Sequence, residues 1–84
     1  MDHVARTPVQ LGQILRTCRK LRGLTQQQVA AKVGVKQSTV SAAERSSSDT
    51  SVATLYRLLS ALGVELVLRE PSGDSSPRVP GREW

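Results

Sequence analysis

Residues 26 to 45 read Gln26-Gln27-Gln28-Val29-Ala30-Ala31-Lys32-Val33-Gly34-Val35-Lys36-Gln37-Ser38-Thr39-Val40-Ser41-Ala42-Ala43-Glu44-Arg45, and the fold is decided there. Two helices that cross at about 90–120° over a turn of a few residues need a small residue at their approach, a flexible residue in the turn and apolar anchors on both sides. Ala30 is the small contact, Gly34 the turn residue, and Val29, Val33, Val35 and Val40 the anchors. Thr25 caps the first of the pair, with Gln28 placed to reach back in a capping box. The second starts near Gln37 and runs to about Glu44. The pattern is a helix-turn-helix.

Working outward, Thr7 followed by Pro8 marks the start of an earlier helix, because proline's missing N–H costs nothing in the first turn. Leu11, Ile14, Leu15, Cys18 and Leu21 follow at helical spacing as an apolar stripe, and Gly23 provides the stop. Arg16, Arg19, Lys20 and Arg22 project at other angles and read as a solvated basic face. On the other side of the motif, Ser46 to Asp49 is an irregular polar loop. Thr50 or Ser51 then caps a last helix carrying Val52, Leu55, Leu58, Leu59 and Leu62, which Gly63 ends.

Val64-Glu65-Leu66-Val67-Leu68-Arg69 changes to a period of two, with Val64, Leu66 and Leu68 on one face. A single strand has no mate within the chain. These three residues are therefore expected to pair with a second copy and to form the dimerisation surface. From residue 70 onward Pro, Ser and Gly dominate, and such a segment buries too little apolar area to offset the entropy of ordering it. The expected organisation is a helix-turn-helix and dimerisation domain over residues 1 to 69 and a flexible tail over 70 to 84.

The chain has 84 residues, enough for one core and no cleft between domains. Twelve Lys and Arg stand against seven Asp and Glu, a net charge of +5 that favours polyanionic partners. The tail holds three acidic and two basic side chains, so the positive field belongs to residues 1 to 69. The sequence shows neither a signal-peptide pattern nor a stretch of membrane-spanning length, and a cytoplasmic location is expected. The single cysteine, Cys18, permits neither an intrachain disulfide nor a cysteine-based zinc site and reads as a small core residue. His3 reads as solvated, since the partners a metal would need are missing. No metal or cofactor is expected.

Leu24-Thr25-Gln26, Val29-Ala30, Gly34-Val35 and Val40-Ser41 resemble the lambda-repressor-like, or XRE-type, helix-turn-helix family over residues 10 to 64. Within that family, Val35 to Ser41, the strand-like Val64 to Arg69 and the tail ending Glu83-Trp84 look like HipB-type antitoxins. Ala42-Ala43 departs from the pattern, since relatives commonly place a larger apolar or aromatic residue there. The resemblance implies an all-α, compact, four- to five-helix domain with a short C-terminal β-strand pairing across a homodimer. It also implies a bacterial cytoplasmic, nucleoid-associated protein that binds palindromic operators and sequesters a kinase-fold toxin of the HipA type.

Chemistry suggests the contacts. A recognition helix presents its N-terminal residues to base edges in the major groove, and Gln37, Ser38, Thr39 and Ser41 are side chains able to donate and accept there. Gln37 suits a bidentate contact to adenine. Lys36 reaches a guanine edge or a phosphate, and Gln26, at a helix start, is placed to hold the DNA backbone. Tyr56 reads as core or dimer interface rather than a stacking platform, which argues against single-strand binding. Trp84 reads as a docking anchor for a protein partner.

Two rival readings stand beside this one: a free-standing regulator without a toxin, and an adaptor whose basic helices bind an acidic protein. Paired carboxylates, a Cys/His couple and a phosphate-cradling glycine loop are all lacking, so an enzyme is not expected.

Overall fold

The computed structural model describes residues 2 to 70, and within them the chain folds as four α-helices and one 3₁₀ turn. They are α1 (Pro8–Leu21), α2 (Gln26–Val33), α3 (Gln37–Arg45), the 3₁₀ turn (Ser47–Asp49) and α4 (Val52–Ala61). The expected tail after Glu70, with Trp84 at its end, lies outside the described residues.

The helix starts follow from side-chain capping. The Thr7 hydroxyl accepts from the Gln10 amide at 3.1 Å, and Ser51 accepts from the Thr54 amide at 3.0 Å. At Thr25 the capping box is complete: Thr25 Oγ1 accepts from the Gln28 amide at 3.1 Å while Gln28 Oε1 accepts from the Thr25 amide at 2.8 Å. Two otherwise orphaned donors are satisfied reciprocally.

Alpha-helices α1 and α2 both pack on α3, and α4 closes the bundle against α2. The core is Leu15 and Cys18 from α1, Val29 and Ala30 from α2, Val40 and Ala43 from α3, and Leu58, Leu59 and Leu62 from α4 and its cap. Ile14, Leu24, Val33, Val35, Leu55 and Val64 pack around it. Among the described residues no aromatic side chain is buried in the core, and α1 and α3 approach closely through small residues. Ala43 is completely buried. Of the Ala42-Ala43 departure, Ala43 thus has a packing reason, while Ala42 is exposed.

Three sequence expectations are corrected. Leu21 is 69% exposed rather than part of the stripe, because it lies about 120° from Leu15 at roughly 100° per residue. The buried arc of α1 instead passes through Gly12, Leu15 and Cys18, so it is rotated toward Arg19. Val52 is exposed, since it opens α4 beyond the reach of the core, and Tyr56, one turn on, is 51% exposed, which corrects the core alternative of its reading and not the dimer-interface one.

Among the described residues no β-strand forms. The Val64 amide donates to the Leu59 carbonyl at 2.9 Å and its side chain packs on the core, after which Leu66, Val67 and Leu68 stand exposed. A strand exists only through a ladder with a neighbour. Cys18 is buried as expected, and the exposed His3 places Nε2 3.9 Å from its sulfur.

Candidate nucleic-acid interface

The turn between α2 and α3 is made by Gly34 at φ 77°, the left-handed region that a side chain disfavours. Its amide and that of Val35 both donate to the Ala30 carbonyl, at 2.8 and 3.0 Å. The turn takes only the three residues 34 to 36, and α3 begins at Gln37 with Lys36 as its cap residue. Lys36 makes no capping bond through its side chain and is exposed.

The first turn of α3 therefore projects from the body. Gln37 and Ser38 are exposed, while Thr39 and Ser41 are half-buried. Val40 and Ala43 fix the opposite side of the helix in the core. The polar groups proposed from sequence share one helix, and Ser41 Oγ accepts from Arg45 Nη1 at 3.5 Å one turn later.

Gln26, from the first turn of α2, reaches this surface. Its Nε2 donates to Glu44 Oε1 at 3.0 Å, and its Oε1 accepts from Gln37 Nε2 at 3.4 Å. The structure thus joins Gln26 to Gln37, which the sequence placed on separate helices with separate duties. One amide of α2 braces the leading side chain of α3.

Arg19 and Glu44, which anchor this brace, were not singled out from the sequence. Arg19 Nε donates to Glu44 Oε2 at 2.6 Å and Nη2 to Oε1 at 3.0 Å, a bidentate pair. Nη1 donates to the Leu24 carbonyl at 2.8 Å and so ties the pair to the loop before α2. The side chains of Arg19 and Glu44 are only 11% and 4% exposed. Arg19 is not part of a solvated face.

Burial pushes the Glu44 carboxyl upward, but hydrogen bonds from Arg19 and Gln26, with the charges of Arg19 and Arg16, outweigh it. The net effect holds Glu44 below the usual carboxylate range. The hydrogen bond to Glu44 raises Arg19 in turn, against the lowering effect of burial. A signal for the pair does exist in the sequence: Glu44 follows Val40 by one turn, so a carboxylate on the apolar face of α3 requires a cation. Arg19, one turn after Leu15 on α1, supplies it.

Among the described residues no group of three His, Cys, Asp or Glu is placed to hold a metal, and no helix is long and apolar enough to cross a membrane.

The family model described as Helix-turn-helix matches residues 15–68. HipB antitoxins from two Escherichia coli strains are similar, one 34% identical over 74% of this chain and 66% of its own length. The other is 30% identical over 93% of this chain and 91% of its own length. A solved HipA–HipB–O2–O3 complex contains a chain that superposes with a TM-score of 0.76 at 29% identity, covering 82% of this chain and 97% of its own. The fold, the two-helix turn and these likenesses agree, and the chain belongs to the helix-turn-helix family as a HipB-type antitoxin.

Proposed function

We propose that this protein is a sequence-specific double-stranded DNA-binding repressor that acts as a homodimer and as the antitoxin of a kinase-fold toxin. The observation that carries the DNA reading is the Gln26–Gln37 contact, an amide pair held at the exposed front of α3. In this reading Gln37 takes an adenine edge, and Ser38, Thr39 and Ser41 meet neighbouring bases or phosphates. Lys36 adds a base or backbone contact. The spare N–H of Gln26 faces a phosphate, where the positive end of α2 adds to it.

The net charge of +5 supports the same surface through counterion release. Dimerisation runs through Val64, Leu66 and Leu68, because the exposed Leu66 and Leu68 form an apolar row after α4 that a ladder with a second copy would cover. The relative in the solved complex is bound with HipA, and a HipA-like toxin is the partner proposed here. Trp84 is its anchor. The protein works by binding rather than by chemistry, in the cytoplasm and on the nucleoid.

The test has two arms. Footprinting on the DNA upstream of the protein's own reading frame is expected to protect an inverted repeat. Calorimetry with the purified toxin is expected to show binding that weakens by about 2 kcal/mol on removal of Trp84, without loss of operator binding. A footprint without toxin affinity would leave a free-standing regulator. Binding to an acidic protein without any footprint would make the chain an adaptor.

A further inference from the structure

Glu44 is the one buried charged residue in the described core, and each of its side-chain hydrogen-bond partners is a donor. A carboxylate only accepts. Gln26 must therefore turn its NH₂ group inward toward Oε1, which leaves its own carbonyl oxygen at the outer end. An oxygen there imposes the same rule one step further, and Gln37 meets it with Nε2. One N–H of the Gln37 amide is thereby used. The second N–H and Oε1 remain, side by side, at the exposed start of α3.

We propose that Glu44, clamped by Arg19, is a positioning residue that sets the donor–acceptor polarity of the Gln37 amide through Gln26, and with it the base that Gln37 prefers. This rests on the reading of Gln37 as a base contact. The remaining N–H and carbonyl match the N7 acceptor and N6 donor of adenine. With the polarity reversed, Gln37 would give its oxygen to Gln26 and offer only N–H groups outward, the complement of the two acceptors of guanine. Free rotation of an amide in water has no such bias. The bias here originates in a carboxylate that is itself held by three hydrogen bonds and never touches DNA.

A purely structural pair, one that only joins α1 to α3, would change stability and leave base ranking alone. Glu44→Gln separates the two roles, because the introduced amide keeps the size and, with its oxygen on Arg19 Nε, turns its NH₂ toward Gln26 at the cost of the Arg19 Nη2 bond that Oε1 now accepts. Gln26 then reverses, and Gln37 after it. Gln26→Leu breaks the relay at its centre without removing either member of the buried pair, and serves if Glu44→Gln fails to fold.

The probe is a double-stranded operator selected by the wild-type protein from a random pool, then prepared with each of the four bases at the position where Gln37→Ala loses discrimination. Glu44→Gln is expected to reduce the preference for adenine about tenfold and to shift it toward guanine. Gln26→Leu is expected to flatten the preference at that position, with any loss of phosphate contact falling equally on all four bases. Unchanged ranking in the folded variants overturns the proposal while leaving Gln37 as the reader. If Gln37→Ala itself discriminates like wild type, the reading of Gln37 falls and the proposal falls with it.

Discussion

A β-carbon placed on Gly12 would stand 2.6 Å from the carbonyl oxygen of Ala43 and 2.8 Å from that of Glu44. These are backbone atoms of α3 and cannot rotate aside. Helix α1 lies on α3 at a distance only glycine permits, and the completely buried Ala43 is the matching small residue. The approach also sets the reach of Arg19, two turns along α1, to Glu44. In an open helix Gly→Ala would stabilise by about 1 kcal/mol. Here Gly12→Ala is expected to destabilise by roughly 2 kcal/mol, the usual cost of overpacking. Urea unfolding measures it, and a gain in stability would show that the helices part without strain.

Arg19→Met leaves the Glu44 carboxylate buried without its partner and is expected to cost about 3–5 kcal/mol. Replacing both, as Arg19→Met with Glu44→Met, removes the uncompensated charge and fills the space with apolar groups, so the double variant is expected to be much more stable than the single one. Denaturant midpoints of the three proteins check this. A double variant as unstable as Arg19→Met would mean that the pair contributes through its hydrogen bonds to Leu24 and Gln26 rather than through charge balance.

The same pair gives the protein an acid limb. Glu44 is held below its unfolded value, so its contribution is fully present above the unfolded carboxylate pKa of about 4.3 and is lost as pH falls through the lower folded value. Stability measured by urea from pH 6 down to pH 2 is expected to fall more steeply for wild type than for the double Met variant. Parallel curves would place the acid sensitivity in other carboxylates.

How far the sequence carried the fold is seen at Thr25, Gly34 and Pro8. Each acts on its immediate neighbours, through a cap, a left-handed turn or a fixed φ, and short-range effects of that kind are readable without a third dimension. Val29, Val40 and Leu58 were likewise legible, since periodicity locates a buried face. Val52 was misplaced because periodicity does not say where a helix leaves its neighbours, and Leu21 because the apolar stripe was drawn too wide around Leu15. Arg19 was misread for a different reason: whether an arginine is solvated depends on a carboxylate 25 residues away. The contact residues of α3 were named from their place in the motif, but the bracing of Gln37 by Gln26 is a tertiary relationship with no local trace.

For the dimer, Leu66→Pro removes a ladder donor in the segment where Leu66 and Leu68 are exposed, while leaving the core contacts of Val64 intact. Sedimentation at micromolar concentration is expected to show a monomer with its helical circular dichroism preserved. Operator affinity is expected to fall sharply, because two half-sites about 34–36 Å apart, or a multiple, are no longer spanned. A variant that remains dimeric and binds normally would move the interface to another face.

The central claim, that the start of α3 reads bases, is tested most directly by comparing Gln37→Ala and Lys36→Ala on the selected operator and on random DNA across a range of salt. Gln37→Ala is expected to lose about 1–3 kcal/mol on the operator, to relax preference at one base pair per half-site and to leave random binding unchanged. If the role of Lys36 is mainly a backbone one, Lys36→Ala is expected to weaken both DNAs alike and to reduce the salt slope by about one. Equal losses for Gln37→Ala on operator and random DNA would contradict the account, because a residue that reads a base cannot weaken both to the same degree.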